Sequence, residues 1–138
     1  MNIQEVHRYL ESYNINPSVQ RSAIMQYLLQ NFTHPTVDQI YAELLPNMPT
    51  LSKATVYNTL KLFVDKRAVR AIFIDERNVR YDAQTELHAH FKCKRCNLIC
   101  EVPLEEDDIP PFRGAPDLQL IETQVYFLGL CGKCAEKK

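Results

Sequence analysis

No apolar run in the 138-residue chain approaches the roughly 20 residues of a bilayer span, so no membrane helix is expected. The first residues, MNIQEVHRYLESYN, carry acids early and lack an apolar signal core, and a cytoplasmic location is expected. Net charge is also nearly absent. The formal value of −1 argues against a generally basic nucleic-acid binder. Five cysteines in a reducing compartment do not make a disulfide framework. What remains is the composition of a soluble globular protein, 46% hydrophobic and 24% charged, long enough for one ordinary domain or two small ones. The charge is unevenly placed: residues 1–70 hold 7 Lys and Arg against 5 acids, residues 71–138 hold 9 against 12. The N-terminal half is the better candidate to meet phosphate.

Chemistry is concentrated in HAHFKCKRCNLICE, residues 88–101. Cys93 and Cys96 have the spacing of half a tetrahedral zinc site, and a second Cys-x-x-Cys, Cys131 and Cys134, follows after 34 intervening residues. Four thiolates saturate zinc and leave no open position, so this site is read as structural. A thioredoxin-like redox motif needs one pair and a different βαβ setting. Cys100 is left over and is read as a buried or edge-strand thiol. His88 and His90 share one face of a strand because side chains alternate with a period of two. Glu101 lies on the adjacent expected strand, Asp82 in the hinge, and His34 far upstream before a proline. Imidazole and carboxylate donors suit Fe(II), Mn(II) or Zn(II) without selecting among them. The plain alternative for His34 is a residue preceding a turn-forming proline, and His7 is read as a helix-surface histidine.

The periodicity predicts a first amphipathic helix on Ile3, Val6, Leu10 and Tyr13. A second is expected to start with Asn16 as cap and Pro17 in its first turn, with Val19, Ala23, Ile24, Tyr27 and Leu28 inward. Thr36-x-x-Gln39 is a capping box opening a third helix on Val37, Ile40, Tyr41 and Leu44, ended by Pro46 and Pro49. Ser52 caps a fourth helix, SKATVYNTLKLFVDK, with Val56, Leu60 and Phe63 on one face and Ala54, Tyr57, Asn58 and Lys61 on the other. Thr55 lies at the margin. A small residue, an aromatic, an amide and a cation can read base edges, thymine methyls and phosphates in a major groove. VRAIFID and NVRYD, separated by Glu76-Arg77, read as a hairpin. Helices plus hairpin make a winged helix-turn-helix, with a helical interaction module as the rival reading. Strands are expected at 88–92, 99–102 and 118–128, around the acidic, proline-rich LEEDDIPPFRGAP, where any helix must be short. This half is a small α/β unit, thin in apolar residues and in need of zinc or a second copy.

The segments VQRSAIMQYL, HPTVDQIY, LSKATVYNTL, RYD, HAHFKCKRC, Glu101 and the terminal GLCGKC together resemble the ferric uptake regulator (Fur) family of bacterial metal-dependent repressors, which includes peroxide regulators. The resemblance runs over nearly the whole chain. It implies an α+β homodimer: a winged-helix DNA-binding domain at 1–82, a hinge at 83–87, and a dimerisation and metal-binding domain at 88–138. It implies structural Zn(II) on Cys93, Cys96, Cys131 and Cys134, and regulatory Fe(II), Mn(II) or Zn(II) on His34, Asp82, His88, His90 and Glu101. Contacts to double-stranded inverted-repeat operator DNA would come from Arg21, Ser52, Lys53, Thr55, Tyr57, Asn58 and Lys61. Many relatives have arginine where Asn58 stands. A further metal site of many members is expected to be absent or much altered, because its positions hold Leu87, Ala89 and Thr123, leaving only Asp108. The usual helix between dimer-domain strands is replaced by 104–116. Asp82 is typical of peroxide regulators, whereas Glu101 is more like iron regulators. On Glu101 the expectation leans to iron homeostasis, with a peroxide-stress regulator that uses metal-catalysed histidine oxidation as the alternative. A metal-dependent hydrolase would need an acid or base not committed to metal, and none is found; a zinc-stapled interaction module without a DNA role is the third reading.

Overall fold

The computed structural model describes residues 1–75, 77–83 and 88–136. The chain divides into two compact units, Met1–Thr85 and Glu86–Lys138. Of the expected hinge, residues 84–87 lie outside the described residues, as does Glu76 in the expected hairpin turn.

The first unit is built from four helices and a hairpin. Helix α1, Ile3–Ser12, starts at Asn2, whose side chain accepts the Glu5 N–H, and buries Val6 and Leu10. Helix α2, Val19–Gln30, is capped by Ser18 rather than Asn16, and Pro17 lies outside it. The Ser18 hydroxyl accepts the Arg21 N–H at 3.1 Å, satisfying one of the open donors of the first turn. Its inward residues are Ser22, Ile24, Met25 and Leu28. Val19, expected inside, is 79% exposed. Nine residues at about 100° each set Val19 half a turn round from Leu28. Ala23 and Tyr27 are half-buried at the margin.

Helix α3, Val37–Leu44, has both bonds of the expected capping box: Thr36 N–H to Gln39 Oε1 at 2.9 Å, and Gln39 N–H to Thr36 Oγ1 at 3.2 Å. It tightens into a 3-10 turn, Leu45–Asn47, at Pro46. Helix α4, Lys53–Asp65, is capped by Ser52 and buries Val56, Thr59, Leu60 and Phe63. The three apolar members are completely buried among residues of α1, α2 and α3, and each contributes roughly 1.5–3 kcal/mol by leaving water. Strands β1, Arg70–Ile72, and β2, Arg80–Asp82, pair antiparallel with Ala71 opposite Tyr81. They form the expected hairpin, with strands shorter than the alternating segments suggested. The fold of this unit is a winged helix-turn-helix.

In the second unit β3, Ala89–Cys93, is the central strand, flanked by β4, Ile99–Val102, and β5, Val125–Gly129. The β3–β4 pair is antiparallel and the β3–β5 pair parallel. The strand expected from Leu118 begins only at Val125. Its ladder runs from Ala89↔Val125 to Cys93↔Gly129, so β5 is as long as its partner allows. Upstream of it Leu118, Leu120 and Ile121 are exposed. Between β4 and β5 the only helical element among the described residues is a 3-10 turn, Glu106–Asp108. A final helix, α5, covers Gly132–Glu136. Among the described residues of this unit only Ala89, His90, Cys93 and Cys134 are buried. So small an apolar interior leaves the thiol cluster to hold the unit together.

Candidate metal centres and nucleic-acid interface

The parallel β3–β5 pairing explains why two Cys-x-x-Cys motifs far apart in sequence meet. Cys93 ends β3 opposite Gly129, and Cys131 follows two residues later. The Lys94 N–H donates to the Gly129 carbonyl at 2.8 Å and holds the two turns side by side. The first knuckle closes through Cys93 N–H to Leu98 O at 2.8 Å and Asn97 N–H to Cys93 O at 2.9 Å. Asn97 supplies the left-handed residue, at φ 65°, that this turn requires. The second knuckle opens α5, with the Ala135 N–H on the Cys131 carbonyl.

One sulfur of each Cys93, Cys96, Cys131 and Cys134 lies within 4.8 Å of the others, and Cys96 Sγ is 3.7 Å from Cys131 Sγ. Zinc–sulfur bonds of about 2.3 Å set the edge of a ZnS4 tetrahedron at about 3.8 Å. The thiols therefore fit zinc. Electrostatics points the same way. The Cys96 N–H, first among several donors, holds Cys93 down to about 6. Cys131 is lowered chiefly by the Cys134 N–H. Cys134 is pushed up to about 12, first by its contact with Cys131 and then by burial. Four thiolates cannot all ionise together until a cation joins them.

The imidazole and carboxylate donors fall in both units. In the first, His34 Nε2 and Asp82 Oδ2 are 3.6 Å apart and both side chains are buried. His34 has φ 56°, a left-handed conformation that costs an L residue roughly 1–2 kcal/mol. In the second, His90 and Glu101 are direct partners across β3 and β4, and His88 lies on the same face two residues before. His88 Nε2 is 3.6 Å from Glu101 Oε1, and the His88 and His90 ring centroids are 4.6 Å apart. At metal–ligand bonds of about 2.1–2.2 Å, 3.6 Å between donors subtends about 110–120°, an angle a first-row ion accepts. Each pair fits a divalent ion. Cys100 is exposed on the edge strand β4, opposite Phe91 and on the other face from Glu101.

The predicted DNA-facing residues divide by what already engages them. Tyr57, Asn58 and Lys61 project from α4 and are exposed. Ser52 serves as its cap, with its hydroxyl 3.1 Å from the Thr55 N–H and 2.9 Å from Thr55 Oγ1. Lys53 Nζ lies 3.3 Å from Asp38 Oδ1 and over the Tyr41 ring at 5.7 Å. Arg21 donates to the Asn16 carbonyl at 2.8 Å. Two contacts were not anticipated from sequence: the Arg80 guanidinium on the His34 carbonyl at 3.0 Å and the Tyr81 N–H on the Pro35 carbonyl at 3.0 Å. Their only sequence signal is the RYD triplet, which shows alternation but not what the strand lies against.

A winged helix-turn-helix unit, a four-thiol zinc site, and imidazole–carboxylate donors in each unit that suit Fe(II), Mn(II) or Zn(II) together define the class of metal-binding winged-helix proteins. The model of the ferric uptake regulator family matches residues 13–111, and the chain belongs to that family. The peroxide-responsive repressor PerR of Staphylococcus aureus strain Mu50 is 31% identical over 137 residues, which cover 98% of this chain and 93% of the relative. The solved PerR of Streptococcus pyogenes is 27% identical with a TM-score of 0.53, covering 96% of this chain and 92% of that one. The Helicobacter pylori ferric uptake regulator Fur, at 17% identity, shares the fold with a TM-score of 0.71, covering 100% of this chain and 97% of that one.

Proposed function

We propose that this chain is a metal-dependent transcriptional repressor that binds an inverted-repeat operator as a homodimer in the cytoplasm. The observation that carries the reading is that each unit brings its own imidazole and carboxylate donors. His34 and Asp82 belong to the winged unit, whereas His88, His90 and Glu101 belong to the unit with the zinc site. A single ion that drew ligands from both halves would fix the orientation of the two units and hence the separation of the two α4 helices in a dimer. Such an ion shifts the population toward the DNA-binding arrangement by as much as it prefers that arrangement. Tyr57, Asn58 and Lys61 then face the major groove, and Thr55, Arg21, Ser52 and Lys53 lie at its margins. Asp38 holds Lys53 until phosphate competes for it.

Between the two forms of this function, the Staphylococcus relatives favour peroxide sensing. They are named peroxide-responsive repressors and match 98% of the chain at 30–31% identity, and by the family resemblance Asp82 is typical of peroxide regulators. Glu101 is the feature that supports an iron-homeostasis regulator instead. In the peroxide reading, His34, Asp82, His88, His90 and Glu101 would hold Fe(II), which would supply redox catalysis; one oxygen atom of peroxide would end on the His34 or His88 imidazole and the other would leave as water. The oxidised ring is a poorer ligand, and repression is released.

The test begins with selection of duplexes from a randomised pool with the full chain, with and without Mn(II). Enrichment of an inverted repeat only with Mn(II) is expected; failure to enrich any sequence under either condition would overturn the DNA-binding reading. The Fe(II)-loaded protein is then treated with peroxide. A 16-Da gain on the peptide with His34 or His88, accompanied by loss of operator binding, is expected. Retention of binding with no such gain would return the protein to iron homeostasis.

A further inference from the structure

We infer that Arg80 is a positioning residue for the regulatory metal, and that through it the hairpin loop of the winged unit is tied to metal occupancy. The inference rests on the reading of His34 and Asp82 as regulatory ligands. Three consecutive residues of β2 grip the segment that carries His34. The Arg80 guanidinium donates through Nη1 to the His34 carbonyl at 3.0 Å. The Tyr81 N–H donates to the next carbonyl, that of Pro35, at 3.0 Å. Asp82 Oδ2 then reaches His34 Nε2 at 3.6 Å. Strand alternation places Arg80 and Asp82 on one face, while Tyr81 is buried in the core.

His34 needs this grip. At φ 56° it occupies a conformation that L residues avoid, and the following proline further restricts it. A charge-assisted bond to its carbonyl fixes the peptide and so aims the imidazole. Outer partners of metal ligands act in this way, by holding the ligand in its binding geometry before the ion arrives.

The other end of Arg80 lies in the hairpin loop. Arg80 Nε donates to Asp75 Oδ2 at 3.1 Å, and Asp75 Oδ1 accepts the Arg77 N–H at 3.0 Å. The pair is mostly buried, with 22% and 15% of the side chains exposed, so it is not a screened surface ion pair. A continuous path runs from the loop backbone at Arg77 through the Asp75 carboxylate and the Arg80 guanidinium to the carbonyl of a metal ligand. Fixing His34 by a metal therefore stiffens this loop, and loosening the loop weakens the metal.

The experiment uses the zinc-loaded full chain and Mn(II), a hard ion that does not compete for thiolates. Affinity is read from the electron paramagnetic resonance signal of free Mn(II), and exchange of the Phe73, Asp75 and Arg77 amides is followed with and without the ion. Arg80→Gln is expected to weaken Mn(II) by on the order of 10–100-fold, as loss of an outer partner does, with zinc content unchanged. Arg80→Lys, which keeps a cation but not the fork, should recover part of that loss. In the unaltered chain Mn(II) should slow exchange in the loop, and in Arg80→Gln it should not. Mn(II) affinity within about threefold of the unaltered chain, with zinc retained, would overturn the inference. If Arg80→Gln fails to fold, Asp75→Asn decides: a severalfold weaker Mn(II) site and loss of metal-induced loop protection are expected, and no change would overturn it. An unaltered chain that binds no Mn(II) would instead sink the proposed function.

Discussion

Cys93 and Cys134 stand at opposite ends of the thiol cluster's titration, and this governs how it takes up zinc. With its value lowered from 9.0 to about 6, Cys93 is ionised at pH 7, whereas Cys134, near 12, is protonated. Zinc uptake by the metal-free protein at pH 7 should therefore release Cys134's proton almost fully and almost none from Cys93. Calorimetry in buffers of different ionisation enthalpy should count fewer than four protons. For the metal-free fold, the Cys93 thiolate contributes in full above pH 9 and is lost as pH falls through about 6. Replacing Cys93 by serine should release zinc and unfold the second unit, seen as lost protection of β3 and β5 amides. In the proposed function the buried His90 has a different role, as a regulatory ligand. His90→Ala should retain zinc and the fold but abolish Mn(II)-dependent DNA binding, as measured by fluorescence anisotropy. Loss of zinc from that variant would merge the two sites into one.

In the proposed function helix α4 separates two duties by face, packing on one side and DNA contact on the other. Phe63 is completely buried in the core of the first unit, so Phe63→Ala should cost about 3–5 kcal/mol in denaturant unfolding. Ser52→Ala removes only a cap and should cost about 1 kcal/mol. Tyr57 is 53% exposed, and Tyr57→Ala should leave stability within about 0.5 kcal/mol while weakening operator binding. These elements were largely legible in the sequence. The capping box at Thr36 and Gln39, the α4 cap at Ser52 and its buried face follow from local rules that need no partner. The start of α2 and the length of β5 were not. Asn16, Pro17 and Ser18 all suit a helix start, and the choice was settled by which residue faced the Arg21 N–H. Leu118, Leu120 and Ile121 are apolar enough to suggest a strand, but a ladder extends only as far as its neighbour does.

At the scale of the molecule the proposed function ties the charge difference between the halves to α4. A positive N-terminal half that meets phosphate should bind DNA with steep salt dependence. Even two phosphate contacts imply about a tenfold loss of affinity between roughly 50 and 200 mM salt. Titration of the operator complex with salt at saturating Mn(II) measures the slope, and a flat response would exclude phosphate contact. Among the described residues no helix is long and apolar enough to cross a membrane.

The sequence by itself supplied the candidate ligands and the candidate DNA-facing residues. The Cys-x-x-Cys spacings, the alternation of His88 and His90 and the polar face of α4 are local patterns, and the first of them pointed to the zinc site; the family was reached through the resemblance of whole segments such as LSKATVYNTL and HAHFKCKRC. Only the tertiary structure decided how those atoms are aimed. The parallel register of β5 on β3 brings the thiols together across 34 intervening residues, and Arg80 reaches His34 across 46 positions. Such contacts depend on which backbone segments pack side by side, and no local spacing encodes that.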